Sequence, residues 1–305
     1  MEGSVLVTGV EGMIGYAVAL HLRKAGVPVV GLDQRVAAGS ADLGVPVLQA
    51  DLDNMHALYG ALVEHRCTAV VHCGAVSGPM LARDDPEFLF RTNVTGTLNV
   101  LEAARRLHLR RVVFCSSLMV YGANDGSLLT EDSPLRSSDA YGFSKVAAEA
   151  IVEAYAAHHG VDAVSARLAW VYGPRRQTAC VIRTLLSDAM AGRPTRISTG
   201  AAAMRQYVHV DDIAEALTAL LRAERIERRA YNLSGGDYRP FGEIVDLIRE
   251  LCPGADAVVE DTPDPDDPPM GPLSIAAIER DLGWAPKLSL ADGLRHYRDW
   301  LGPAG

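Results

Sequence analysis

One junction near the start of the chain limits its possible folds more than any other feature. Val5 to Thr8 is a short, mostly β-branched run that stops at Gly9, and Met13 to Ala25 carries apolar residues at helical spacing before closing at Gly26. Between them stands Gly9-Val10-Glu11-Gly12-Met13-Ile14-Gly15. A strand, a glycine-rich turn and a helix in that order bring free amide N–H groups and the helix dipole to an anion, and glycine lets a pyrophosphate approach the backbone. The alternation continues downstream. Strands are expected at Val29 to Leu32, Val45 to Gln49, Ala69 to His72 and Arg111 to Cys115, with helical patterns at about Asn54 to Glu64 and Thr92 to Leu107. Such alternation calls for a parallel sheet covered on both faces. Right-handed crossovers then leave few topologies besides a Rossmann-type, doubly wound α/β fold.

After a loop rich in Gly, Ser, Asp and Pro (Gly122 to Asp139), a long helix is expected from Tyr141 to His159 and a sixth strand from Val161 to Arg167. From Tyr172 the pattern changes to short helices separated by single strand-like runs. Residues 1–171 with about 207–225 are therefore expected to form a dinucleotide-binding domain. About 172–206 and 226–305 would form a smaller α/β substrate-binding lobe. Between Pro263 and Pro272 the composition, five prolines and three aspartates, is that of a loop.

Composition excludes several function classes. The balance of 29 Lys plus Arg against 38 Asp plus Glu leaves a net charge of −9, which argues against nucleic acid as a partner because phosphate neutralisation needs a basic surface. Apolar runs fall well short of the roughly 20 residues that cross a bilayer, and no basic segment precedes an apolar one at the start. A cytoplasmic protein is expected. The five cysteines are an odd number, widely spaced and mostly within apolar stretches, as suits reduced, buried thiols. No Cys or His pair has the spacing of a zinc site, so no metal is expected.

Gly9, Gly12, Met13, Ile14 and Gly15 would hold the pyrophosphate of the cofactor. Asp33, 18 residues after Gly15 at the end of the second strand, can accept hydrogen bonds from the adenosine ribose, and its charge repels a 2′-phosphate. That favours NAD, whereas Arg35 two residues on could instead pair with the 2′-phosphate of NADP. Asp51 and Leu52 past the third strand, and Cys73, Gly74 and Ala75 past the fourth, lie at the carboxyl edge of the sheet where ligands of such folds bind.

Tyr141 and Lys145 open the long helix. A spacing of four puts them on one face, and a nearby ammonium would lower the phenol pKa from its free value of about 10. Tyr141 could then shuttle a proton to or from a substrate hydroxyl. Ser117, in Ser116-Ser117 after the fifth strand, would stand in the same crevice and hold the reacting oxygen.

With these segments together the chain resembles the extended short-chain dehydrogenase/reductase superfamily, in particular its NAD-dependent epimerase/dehydratase branch. The resemblance rests on Val7-Thr8-Gly9 with Gly12 and Gly15, Asn93 to Asn99, Ser116-Ser117 with Val120-Tyr121-Gly122, and Tyr141 to Lys145. Val171 to Pro174, Val208 to Asp212 and Leu282 to Pro286 extend it over nearly the whole chain. It implies that Ser117, Tyr141 and Lys145 are the catalytic triad, that Lys145 also touches the nicotinamide ribose, and that Asn93 and Tyr141 are cofactor contacts as well. It further implies that Asn93 orders the site through the helix it begins, and that Tyr172 starts the substrate lobe. A homodimer formed by packing the 92–107 and 141–159 helices into a four-helix bundle is also implied.

Six arginines (175, 176, 183, 193, 196 and 205) against one acid, Asp188, lie between Gly173 and Gln206, which favours an anionic, sugar-like substrate. Ser77, Ser117, Tyr172, Arg175 and Arg205 are the candidate substrate contacts. Arg205 resembles the family arginine that grips the diphosphate of a nucleotide sugar. Two departures from the nucleotide-sugar pattern stand against it: Trp170 where an asparagine is usual, and no Arg-x-Gly-Asp segment before the last helices. The expectation is a secondary-alcohol oxidation through a keto intermediate, as in sugar-nucleotide epimerisation. The alternatives are net dehydrogenation of a free sugar acid or polyol, or a non-catalytic NAD-sensing protein. Dehydration is disfavoured because Leu118 and Met119 offer no acid or base.

Overall fold

The computed structural model describes residues 3–36, 42–78, 80–263 and 269–302. Its first half runs β1 (Ser4–Thr8), α1 (Met13–Lys24), β2 (Val29–Asp33), β3 (Val47–Gln49), α2 (Met55–Glu64), β4 (Cys67–His72), α3 (Pro86–Phe90), α4 (Gly96–Leu107), β5 (Arg111–Ser117), α5 (Ala140–His158) and β6 (Ala163–Leu168). The second half continues with β7 (Trp170–Tyr172), α6 (Val181–Met190), β8 (Thr195–Ile197), β9 (Met204–Arg205), β10 (Tyr207–His209), α7 (Val210–Arg222) and β11 (Ala230–Leu233). It ends with β12 (Arg239–Pro240), α8 (Phe241–Leu251), β13 (Ala257–Val259), α9 (Ala276–Leu282) and α10 (Leu290–Leu301).

Among the described residues a seven-stranded sheet has the order β11-β6-β5-β4-β1-β2-β3, with every pair parallel. This is the expected doubly wound arrangement. Successive side chains on a strand point to opposite faces, and the sequence uses both. Val5, Val7 and Val113 enter one core with α1 and α7, whereas Leu6, Val70 and Phe114 enter the other with α2, α4 and α5. Each such side chain contributes roughly 1.5–3 kcal/mol by leaving water. Residues of β5 are buried along its whole length. A separate core of Ile182, Leu185, Ile244, Ile248, Leu294 and Tyr297 holds α6, α8 and α10 together as the second lobe.

The expected boundary of that lobe needs correction. The sequence pattern puts about 226–305 in it as one segment, but β11 pairs with β6 and completes the large sheet. Met270, Leu273, Ile278 and Trp284 likewise pack into the core shared with α1 and α7. The cause is burial: Tyr231 and Leu233 are wholly enclosed, and Asn232 between them is too, with its amide oxygen accepting from the Tyr121 hydroxyl at 2.7 Å. No described helix is long and apolar enough to cross a membrane.

Candidate active site

The glycine turn closes against its neighbours at backbone distance. Gly9 has φ +66°, and a Cβ there would come within 2.7 Å of the Gly74 backbone; one on Gly15 would lie 2.2 Å from the Gly9 carbonyl. Only glycine fits either place. Met13 and Ile14 form the first turn of α1, so its free amides face the cleft. Asp33 ends β2 and pins the turn: its carboxylate accepts the Glu11 amide at 3.0 Å and the Arg35 amide at 3.2 Å. Burial raises the Asp33 pKa from its ordinary value, with these amides opposing. Leu52 packs against Gly74 and Gly96, and its carbonyl accepts from Asn99 at 2.9 Å, while Asp51 is exposed beside it. The Gly74 amide is held by the Thr8 hydroxyl at 3.1 Å, and Ala75 follows, partly buried. This cradle fits a dinucleotide: open amides for a pyrophosphate at one end and a carboxylate for a ribose at the other.

Ser116 and Ser117 are the last residues of β5 rather than the start of a loop. The Ser117 hydroxyl accepts the Met119 amide at 3.2 Å and caps the short helical turn Leu118–Val120. Tyr141 enters from the first turn of α5, which Asp139 caps by accepting the Gly142 amide at 3.0 Å. Burial raises the Tyr141 pKa, and hydrogen bonds from the Ser117 and Ser77 hydroxyls pull the other way. Both serines therefore converge on the phenol. Lys145 is buried one turn on, its amine donating to the Cys115 carbonyl at 2.9 Å and lying 5.9 Å from the Tyr141 ring. Burial lowers its pKa from 10.5 to about 8. The expectation that the ammonium depresses the phenol is thus corrected: desolvation outweighs it, because the amine is turned toward a carbonyl.

Asn93 does not begin a helix. It sits in a π-helical turn, Arg91–Thr95, between α3 and α4, and such turns recur at functional sites. Its amide clamps the Val76 backbone at both ends (2.8 and 3.0 Å) and donates to Ser144, which donates to the Tyr141 carbonyl at 2.6 Å. Asn93 thus ties the loop carrying Ser77 to the helix carrying Tyr141.

Sequence reasoning missed one element. Arg167 and Glu149, each 7% exposed, pair at 2.7 Å, and the Ser116 hydroxyl donates to the same carboxylate at 2.5 Å. Burial opposes the Arg167 charge, but Glu149 raises its pKa on balance. The pair fixes the end of β5 and hence Ser117. Eighteen residues separate the partners along the chain, so no local spacing signals them.

The substrate candidates are dispersed. Tyr172 does not face the cleft: it is 1% exposed in the second core, and its hydroxyl donates to the Leu290 carbonyl at 3.3 Å. Its closeness to Gly293, where a Cβ would clash with the hydroxyl, shows why it turns inward. Arg205 lies 5.2 Å over the Trp170 ring, in register with Arg239 across β9 and β12. Arg175 reaches the glycine turn instead, 3.8 Å above the Tyr16 ring. All five cysteines are free thiols, and Cys73, just past β4, and Cys115 on the adjacent β5 bring their sulfurs to 3.5 Å. His209, Asp211 and His296 place possible ligand atoms within 4.8 Å of one another, yet His209 Nδ1 there already accepts the Asp211 amide as a helix cap.

A glycine-turn cradle beside a serine, tyrosine and lysine on adjoining elements defines a dinucleotide-dependent oxidoreductase-type enzyme. The NAD dependent epimerase/dehydratase family model matches residues 5–234. The chain belongs to that family, and NAD is its cofactor. It is 31% identical to a dTDP-glucose 4,6-dehydratase of Streptomyces griseus, with 100% of this chain and 99% of that protein aligned. It is also 31% identical to a UDP-glucose 4-epimerase of Mycolicibacterium smegmatis, over 95% of each. Among solved structures, the UDP-glucose 4-epimerase of Thermus thermophilus complexed with NAD superimposes with a TM-score of 0.88 at 29% identity, covering 99% of this chain and 100% of that one.

Proposed function

We propose that the protein epimerises a sugar nucleotide, oxidising one secondary hydroxyl to a ketone and reducing the same carbon from its other face. The observation that supports this best is the single proton-transfer group. Ser117 and Ser77 converge on Tyr141, while the next positions are the buried Leu118 and the partly buried Met119. Removal and return of hydrogen at one carbon needs one acid/base. Loss of water from a neighbouring carbon needs more, so the likeness to dehydratases extends here to the oxidation step only.

When bound, NAD supplies the acceptor and then the donor of hydride. Tyr141 is the group that exchanges the proton of the reacting hydroxyl, taking it as the carbon is oxidised and giving it back on reduction. Ser117 donates to the substrate oxygen and orients it against the phenol. Lys145 places positive charge behind the ring and is the residue proposed to meet the nicotinamide ribose. Arg205, stacked on Trp170, is the proposed anchor for the diphosphate, with Trp170 adding a cation–π platform where an amide is absent. Trp170 stands two residues after Leu168, the register partner of Ser117, which supports an anchor on the same side of the sheet's carboxyl edge as the catalytic serine. A homodimer through α4 and α5 fits the exposed Leu98 and Phe143 on those helices, and light scattering would test it. The five free thiols suit a reducing, cytoplasmic setting.

The test is incubation with UDP- and dTDP-hexoses, followed by product analysis and absorbance of the reduced cofactor. Interconverted epimers without net reduced cofactor are expected. Net reduction driven by a free uronate or aldonate would instead establish a dehydrogenase.

A further inference from the structure

Arg175, expected as a substrate residue, turns instead to the glycine turn of the cofactor cradle. Its backbone lies in the left-handed region at φ +65°, a conformation unfavourable for a residue with a Cβ, which the surrounding contacts must hold. The guanidinium stacks 3.8 Å above the Tyr16 ring, and one of its nitrogens is 4.0 Å from the Glu11 carboxylate. Two residues on, the Gln177 amide donates to the Glu11 carbonyl at 3.2 Å. The segment is anchored at its other end in the second lobe, where Arg183 on α6 donates to the Arg176 carbonyl at 2.8 Å, while Arg176 itself donates to the Val171 carbonyl of β7 at 2.7 Å. Residues 174–177 thus form a strap fixed to one lobe and fastened to the glycine turn of the other.

Glu11 makes the fastening point unusual in its charge. It is 7% exposed and lies within the turn that receives a pyrophosphate, where a second anion is repelled. A guanidinium beside it offsets that repulsion.

We propose that Arg175 is a clasp that retains NAD: it neutralises Glu11 beside the pyrophosphate and fastens the strap over the glycine turn, so that the cofactor leaves only when the strap lifts. This rests on the reading that NAD stays bound through the epimerase cycle. Arg175 is a positioning residue in this role. It touches Tyr16 and Glu11 and acts through the turn.

The experiment is a chase. Protein loaded with NAD is mixed with excess etheno-NAD, and the exchange rate is followed by fluorescence for wild type, Arg175→Ala, Arg175→Lys, Glu11→Gln and the Arg175→Ala/Glu11→Gln double variant. Arg175→Ala is expected to release NAD about tenfold faster or more, equivalent to roughly 1.4 kcal/mol or more. Arg175→Lys should recover only part of this, because an ammonium keeps the charge without the planar stack. In the double variant the effect of Arg175→Ala should shrink, as coupled partners require. Release from Arg175→Ala within about twofold of wild type, or a fully additive double variant, overturns the clasp. Rapid exchange by wild type with still faster exchange by Arg175→Ala keeps the clasp and removes the retained-cofactor reading instead.

Discussion

Replacing Lys145 with methionine should stabilise the protein at neutral pH while abolishing turnover. The wild-type side chain is 3% exposed, and burial lowers its pKa from 10.5 to about 8. At about 1.36 kcal/mol per decade that drop amounts to roughly 3 kcal/mol spent on keeping the buried amine charged. Methionine is nearly isosteric and removes this cost, but it leaves the Cys115 carbonyl, now bonded to the amine at 2.9 Å, without its donor. That loss offsets about 2 kcal/mol, so the variant should exceed wild type by about 1 kcal/mol at pH 7. The sign reverses in alkali. The folded state sheds the Lys145 proton near pH 8 and the unfolded chain near 10.5, so in this window the unfolded state binds more protons and stability rises with pH. Wild type should gain roughly 2 kcal/mol on the variant between pH 7 and pH 9.5. Urea titrations followed by tryptophan fluorescence at the two pH values measure the difference directly. A stability difference that does not move between them would falsify the burial argument.

Tyr141→Phe should lower turnover by about 10²–10⁴-fold without changing the NAD bound per protomer, since the ring that can lie against the cofactor is kept and only the proposed proton-transfer hydroxyl is lost; loss of bound NAD would refute that division. Glu149→Ala leaves Arg167 buried and unpaired and should cost about 3–5 kcal/mol in urea unfolding. A cost under about 1 kcal/mol would show that water reaches the guanidinium. Gly15→Ala puts a methyl 2.2 Å from the Gly9 carbonyl, which must shift the turn at about 1–3 kcal/mol and strip the purified protein of NAD. Full NAD occupancy in that variant would mean the turn adapts.

What could be read from the chain was whatever has a short period or a local cause. The β1–turn–α1 unit and the Tyr141–Lys145 spacing are of this kind, since each is decided by residues within a few positions of one another. Strand ends were less legible. β5 runs on through Ser117 because Ser116 and Ser117 keep pairing with Arg167 and Leu168, a partnership that exists only once β6 has arrived. β11 escaped notice because four residues, with a buried Asn232 in the middle, show no alternation. Asn93 looked like the start of a helix because its π-helical turn is continuous with helices on both sides, and only the Val76 loop across the cleft shows what its amide is for. The direction of Tyr172 was hidden for a related reason. Its fate is set by Gly293, far along the chain, which leaves room for a ring that the local motif would have sent outward.

The placement of β11 has a consequence for how the molecule is assembled. The outermost strand beside β6 is supplied by sequence that follows α6 and α7, so the chain has left the nucleotide-binding half, begun the other and come back before the sheet has its full width. During synthesis the β6 flank stays an unprotected edge, open to mispairing, until some sixty further residues have emerged. Neither half can then be cut out at a linker and grafted onto another member of the family, and a truncation after α7 should yield an aggregating fragment rather than a smaller NAD-binding protein.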